Sequence, residues 1–125
     1  MWHVPSDDEV IELENQLGMM PGEATAVGFR GGNIGDALKS TSGWNGDGNG
    51  TNVSGLNVVP SGNRYHHGAF LSLGENGSWW TSTQNQNDES KAWYRSLSHD
   101  DEGIYREHDA LKTIGFPLRC IKDSE

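Results

Sequence analysis

Residues 78–121 read SWWTSTQNQNDESKAWYRSLSHDDEGIYREHDALKTIGFPLRCI. Large aromatic side chains stand at Trp79, Trp80, Trp93, Tyr94, Tyr105 and Phe116, and the segments between them are almost wholly polar. This is the pattern of short strands pinned by big apolar side chains, with their connections in water. From Lys91 the alternation is regular. Successive strand side chains point to opposite faces, so Trp93, Arg95 and Leu97 share one face and Tyr94, Ser96 and Ser98 the other. His99-Asp100-Asp101-Glu102-Gly103 reads as a turn. Ile104 and Arg106 then alternate with Tyr105 and Glu107, so each strand carries an apolar-Tyr-Arg triplet. Residues 108–114 read as a second polar excursion. Residues 115–121 read as a final strand with Phe116, Leu118 and Cys120 toward the core; Pro117 cannot donate to a ladder, which puts that strand at an edge or bulge. Parity therefore separates a scaffold (Trp79, Trp80, Trp93, Leu97, Ile104, Phe116, Leu118, Cys120) from a polar outer surface.

Working outward, Ser6-Asp7-Asp8-Glu9 is a capping box. The Ser6 hydroxyl takes the free N–H near Glu9, and Glu9 reaches back. Its acidic residues also suit the positive end of a helix dipole. Val10, Leu13 and Leu17 repeat at helical spacing and Gly18 ends the pattern, so a helix is expected over residues 6–17. Trp2 and Val4 before it read as a short strand entering the core. Ala24, Val27 and Phe29 suggest a short helical turn, and residues 36–39 another short piece. Gly31-Gly32-Asn33-Ile34-Gly35 follows no clear strand, which argues against a phosphate loop. Residues 44–54 place Asn45, Asp47, Asn49 and Thr51 at alternate positions, like the start of a calcium loop. The twelfth position from Asn45 is Leu56 and not Glu, so a Gly/Asn-rich surface turn is the expectation. Residues 56–60 and 70–73 read as short strands, and Gly74-Glu75-Asn76-Gly77 as a hairpin turn. His66-His67 invites a metal reading, but neighbours on a strand point apart, so exposed loop histidines are expected. Asn49, Asn52 and Asn76 head formal glycosylation triplets of the kind an Asn-rich chain acquires by chance.

The chain has 125 residues, which sets an expectation of one domain over residues 1–125. Only 33% of residues are hydrophobic and 17 are Gly, so much of the backbone is turn and loop; five Trp residues offset this with large buried area. The net charge of -9 repels phosphate backbones and makes nucleic acid a poor partner. No apolar run is long enough to cross a membrane, so no membrane insertion by this domain is expected. Met1-Trp2-His3-Val4-Pro5 carries no signal peptide, and the chain reads as a piece trimmed from a longer protein, with any export signal upstream. Cys120 stands alone. It reads as a half-buried strand hydrophobe, or else as half of a disulfide with an upstream partner.

Five segments follow one another in a recognisable order: Trp2-His3-Val4-Pro5-Ser6-Asp7-Asp8-Glu9, Leu38-Lys39-Ser40-Thr41-Ser42-Gly43-Trp44, Gly77-Ser78-Trp79-Trp80-Thr81-Ser82-Thr83, Ala92-Trp93-Tyr94-Arg95 and Gly115-Phe116-Pro117-Leu118-Arg119-Cys120. In these the chain resembles the Fibrobacter succinogenes major paralogous domain family. The resemblance implies an α+β, C-type lectin-like fold: a short N-terminal helix on small twisted antiparallel sheets, loop-rich, and related to the formylglycine-generating enzymes. It implies a bacterial (or phage) surface or secreted protein, often a lipoprotein, and thus an extracellular or cell-surface location. Family members often carry a Cys shortly before the Trp-His-Val-Pro motif, which would partner Cys120. This sequence departs from the family pattern at Pro117. Some members are variable proteins of diversity-generating retroelements, whose C-terminal strands and turns are rewritten at adenine-rich codons. Tyr94, Ser96, Ser98, His99, Asp100, Asp101, Tyr105, His108, Asp109, Leu111 and Thr113 are compatible with such rewriting of an Asn codon. Glu102, Glu107 and Lys112 are not.

Three function classes follow. An enzyme of the formylglycine-generating kind works through paired cysteines and copper, which one cysteine does not supply. Asp100 and Asp101 lie on a turn where water keeps both ionised, a poor setting for a tuned acid–base pair. No catalytic residue, metal or cofactor is therefore expected. A non-enzymatic binding and display domain is the favoured reading, with a protein or carbohydrate ligand at Tyr94, Ser96, Ser98, His99, Asp100, Asp101, Tyr105, Glu107, His108, Asp109, Leu111 and Thr113. Tyr supplies contact area at low entropy cost, while Ser and Asp supply hydrogen bonds. A structural spacer with no ligand of its own is the third reading.

Overall fold

The computed structural model describes residues 1–65 and 68–123, so the expectation for His66-His67 lies outside the described residues. The elements in order are β1 (Trp2–His3), α1 (Asp7–Gln16), α2 (Pro21–Ala24), β2 (Gly28–Arg30), α3 (Ile34–Leu38), β3 (Asn63–Arg64), β4 (Phe70–Leu71), β5 (Asn76–Gln84), β6 (Lys91–Ser98), β7 (Asp101–Leu111) and β8 (Ile121–Lys122). The architecture is α+β. A four-stranded sheet of order β2-β7-β6-β5 is antiparallel throughout, and the small pairs β1-β8 and β3-β4 flank it.

The helix forms as its sequence dictates. Ser6 Oγ accepts from Glu9 N at 3.1 Å, and Glu9 Oε1 accepts from Ser6 N at 3.0 Å. Gly18, at a φ of 112°, takes the chain out of the helix after the Leu17 cap. Val10 of α1 is buried, while Ile11 and Leu17 pack against a core of Met19, Ala24, Ile34, Leu38, Trp44, Val58, Trp79, Leu97 and Ile104.

The expected parity of the long strands holds. Arg95, Leu97 and Ile104 are fully buried and Arg106 nearly so, whereas Tyr94, Ser96, Tyr105 and Glu107 are half-buried on the other face. Register aligns Trp79 with Arg95, and Arg30 with Ile104, on the inner face. The inner face is thus half apolar and half ionic. Asp7 and Glu14 of α1 meet Arg30, Arg95 and Arg106 there. Glu14 bonds Arg30 Nη2 at 2.6 Å and Arg95 Nε at 2.9 Å; Asp7 bonds Arg95 Nη1 at 2.6 Å and Arg106 Nη2 at 2.7 Å. Trp93 covers the Arg106 guanidinium at 4.0 Å. Charged groups leave water only when paired and hydrogen-bonded, and this cluster is how the helix docks on the sheet.

Several expectations are corrected. Trp2 does not enter the core: among the described residues β1 pairs with β8 alone, and Trp2 is 65% exposed. The final strand shrinks to β8. Among the described residues, 115–120 make a single β-bridge (Gly115 to Arg64), leaving Leu118 and Cys120 exposed and Phe116 half-buried. Residues 56–60 make one parallel bridge, Val58 to Lys39, and are not a strand. The turn before β5 is at Ser72 and Gly74, which hold positive φ of 66° and 83°; Asn76 and Gly77 already pair with Ser98 and Leu97. The turn expected at 99–103 contracts to His99-Asp100, and β7 runs on through Leu111, so most of the expected second excursion is strand. A strand, β2, does precede the Gly31-Gly32-Asn33-Ile34-Gly35 run; its three residues, opened by a glycine, gave too little pattern to see.

Candidate functional site

The outer face of the central sheet is built by register. Trp80 pairs with Tyr94 and Ser78 with Ser96; Ser96 pairs in turn with Tyr105, and Tyr105 with Phe29. Cross-strand partners share a face, so these side chains are gathered by the ladder itself. Their rings form a row. Centroids are 4.9 Å apart for Phe29–Tyr105, 6.0 Å for Tyr105–Tyr94, 5.1 Å for Tyr94–Phe116 and 4.6 Å for Phe116–Trp80. Successive planes tilt by 38° to 57°. Beside the row lies a strip of small polar groups, with Ser78 Oγ donating to Ser96 Oγ at 2.9 Å. A cleft of about 490 Å³ opens between rings and hydroxyls, and Asn63, Tyr65 and Ile114 also line it.

The structure distributes the sequence-derived residues over more than one place. Tyr94, Ser96, Ser98, Tyr105 and Asp109 line the cleft together. His99, Asp100 and Asp101 line a separate hollow with Asp36, Lys39, Asp47 and Glu102. Its floor is tight, since Gly48 lies against the His99 backbone and the buried Lys39 ammonium donates to Asp101 O at 2.8 Å. His108 faces a third recess beside Asn85 and Trp93. Glu107 is the cross-strand partner of Tyr94, and its carboxylate stands 3.5 Å from His108 Nε2. Leu111 and Thr113 are exposed beyond the cleft. The bulges in β6–β7, between Ala92 and Tyr94 and between Ser96 and Ser98, divide these groups by breaking strict alternation.

Sequence reasoning missed Phe29, Asn63, Asn76, Ser78, Trp80 and Phe116, assigning Trp80 and Phe116 to the scaffold. Parity carried a usable signal for Trp80. Trp79 is buried among Leu97 and Ile104, so its neighbour points the other way, with Ser78. No local pattern marks Phe29 or Asn63, which arrive from short strands elsewhere in the chain.

The electrostatics of the cleft are acidic. Burial first, then the Tyr105 phenol, then the Asp109 and Glu107 carboxylates push the Tyr94 phenol well above its usual range. Burial, Glu107 and Asp109 push up Tyr105 in the same way. At the edge, the Ser98 hydroxyl donates to Asp100 Oδ1 at 2.5 Å and holds that carboxyl below the usual range. Among the described residues, no group of three or more His, Cys, Asp or Glu is placed to hold a metal.

A small α+β domain with a ring-and-hydroxyl cleft on one sheet face, and an ion-paired core on the other, is the class of protein defined here. Residues 1–122 match the Fibrobacter succinogenes major domain, and the chain belongs to that family. No match was found among curated proteins or among solved structures.

Proposed function

We propose that this chain is a non-enzymatic ligand-binding and display domain with a C-type lectin-like architecture. It works on a bacterial or phage surface or secreted protein, and its outer face takes a protein or carbohydrate ligand. One observation carries the reading: Tyr94, Ser96 and Tyr105 sit on the same strands as the buried Arg95, Leu97 and Ile104, yet face a cleft and not the core. Aromatic area beside small hydroxyls is the composition of adaptable contact surfaces. A domain whose C-terminal strands are rewritten as the variable protein of a diversity-generating retroelement would need this division of labour. A retroelement assignment also requires a reverse transcriptase and an adenine-mismatched template repeat at the locus, and sequencing the locus tests it.

The direct test is a glycan and protein array probed with wild-type protein and with a Tyr94→Ala/Tyr105→Ala variant whose fold is checked by circular dichroism. The expected result is at least one ligand that the variant binds about tenfold or more weakly, as interfacial Tyr residues commonly contribute. Ligands bound equally by both proteins would remove the face from consideration. Binding to nothing would leave the domain a spacer.

A further inference from the structure

We propose that the outer-face cleft recognises an organic cation, a protonated amine or guanidinium, presented free or on a Lys or Arg side chain. This deepens the reading of that face as a binding surface and rests on it. Aromatic rings attract cations through their quadrupoles, and Phe29, Tyr105, Tyr94 and Phe116 all line the cleft, with neighbouring centroids 4.9 to 6.0 Å apart. Asp109 lines the cleft and its carboxylate is exposed to it; Glu107 acts on the same phenols from the next position on that face.

No Lys or Arg lines the cleft among the described residues. Arg64 is drawn aside over the Phe70 ring at 5.5 Å, and Lys91 turns to Asp88 at 3.7 Å. Arg95 and Arg106 lie on the opposite face of the sheet, held by Asp7 and Glu14. The whole chain carries a charge of -9, which draws cations toward it.

Asn63 and the Ser78 and Ser96 hydroxyls line the same cleft and add neutral polar groups beside the rings. A ligand with several N–H donors and a positive charge satisfies rings, carboxylate and hydroxyl oxygens together. A hard metal ion fits less well, because such ions are held chiefly by carboxylates and the lining supplies one, Asp109. The cleft of about 490 Å³ accommodates a Lys or Arg side chain with its flanking backbone.

The test is NMR titration of the labelled domain with blocked Gly-Lys-Gly, Gly-Arg-Gly, Gly-norleucine-Gly and Gly-Glu-Gly peptides, and with n-butylammonium. The expected result is saturable shifts at Tyr94, Tyr105 and Asp109 with cationic probes, and none with the norleucine or Glu peptides. Asp109→Asn, an exposed and conservative change, should weaken them about fivefold to tenfold. Binding of n-butylammonium as tightly as the peptides would assign the site to free amines, and peptide-only binding to a polypeptide partner. Equal binding of the norleucine peptide, or unchanged Lys-peptide binding by Asp109→Asn, overturns the cation even where outer-face shifts show that the surface binds. No shift with any cationic probe up to about 10 mM, the weak end of specific recognition, overturns it too. The broader reading of the face would then stand or fall on the Tyr94/Tyr105 array result.

Discussion

Replacing Asp7 by Asn removes one charge from the buried cluster and leaves its partners in place. Asp7 is 5% exposed and bridges two guanidiniums: Arg95 Nη1 at 2.6 Å, and Arg106 through Nη2 at 2.7 Å and Nε at 3.2 Å. The wild-type cluster holds the cations Arg30, Arg95 and Arg106 against the anions Asp7 and Glu14, a net charge of +1. Asp7→Asn raises that to +2 inside the protein. Breaking a buried pair from one side costs roughly 3–5 kcal/mol, because the remaining charge stays desolvated and uncompensated. Native domains are stable by about 5–15 kcal/mol, so roughly a fifth of the total or more is at stake. In urea, with a slope of about 1.5–2 kcal/mol/M, the midpoint followed by Trp fluorescence should fall by roughly 2 M.

The pH dependence supplies a second readout. Burial works to raise the Asp7 carboxyl; the hydrogen bond from Arg106 and the charge of Arg95 overcome it and hold the carboxyl below its ordinary value of 3.8. A depressed folded-state pKa contributes stability above the unfolded value, and that stability is lost as pH falls through the folded one. The gap between wild type and Asp7→Asn should therefore be full near neutrality and close in acid. An Asp7→Asn/Arg106→Met double variant should lose less than the two single losses added, since it removes the orphaned charge with its partner. A variant within about 1 kcal/mol of wild type, with a gap constant from neutral to acid pH, would refute the claim that this cluster docks the helix.

Three further outcomes are expected. Ser6→Ala deletes the hydroxyl that accepts from Glu9 N and should cost about 1 kcal/mol in a urea melt. His3 is held by Asp123 at 2.5 Å and then by Glu9 at 3.0 Å, which raises its pKa above 6.5; its contribution is fully present below 6.5 and lost as pH rises through the folded value, so amide exchange in β1 and β8 should speed up on that alkaline limb while an NMR titration of the His3 ring reports the midpoint. Gly35→Ala should destabilise by about 1–3 kcal/mol where Gly22→Ala does not, because a Cβ at Gly35 lies 2.2 Å from Gly103 O, whereas one at Gly22 meets nothing within 4 Å; equal melts for the two would contradict the tight seat of α3 on β7.

What the sequence disclosed, and what it hid, follows from the range of each signal. The capping box, the helix and the two-face parity of residues 93–98 are local patterns, and each appears in the structure where expected. The ionic core was half legible. Arg95 and Arg106 fall on the inward parity of their strands, and inward arginines demand buried carboxylates. Which acids answer them depends on how α1 lands, and residues 7 and 14 also read well as ordinary helix acids. The last segment misled for the opposite reason. Phe116, Leu118 and Cys120 alternate like a strand, but alternation needs a neighbouring ladder to become one, and here Pro117 and the lone Gly115–Arg64 bridge leave the segment largely unpaired. The cleft combines residues from β2, β3, β5, β6 and β7, and no single window of sequence contains it.

The bonds that seat α1 span long stretches of chain: Asp7 is 88 residues from Arg95 and 99 from Arg106, and Glu14 is 81 from Arg95. The β6–β7 hairpin, closed by two residues, is by contrast among the most local structures in the fold. Loop-closure entropy opposes distant contacts until near ones have shortened the path between them. The hairpin is thus expected to form early and the carboxylates of α1 to arrive late, after the transition state. Weakening Asp7 or Glu14 would then leave the rate of folding nearly unchanged and quicken unfolding, so the cluster acts as a latch that sets the lifetime of the folded domain.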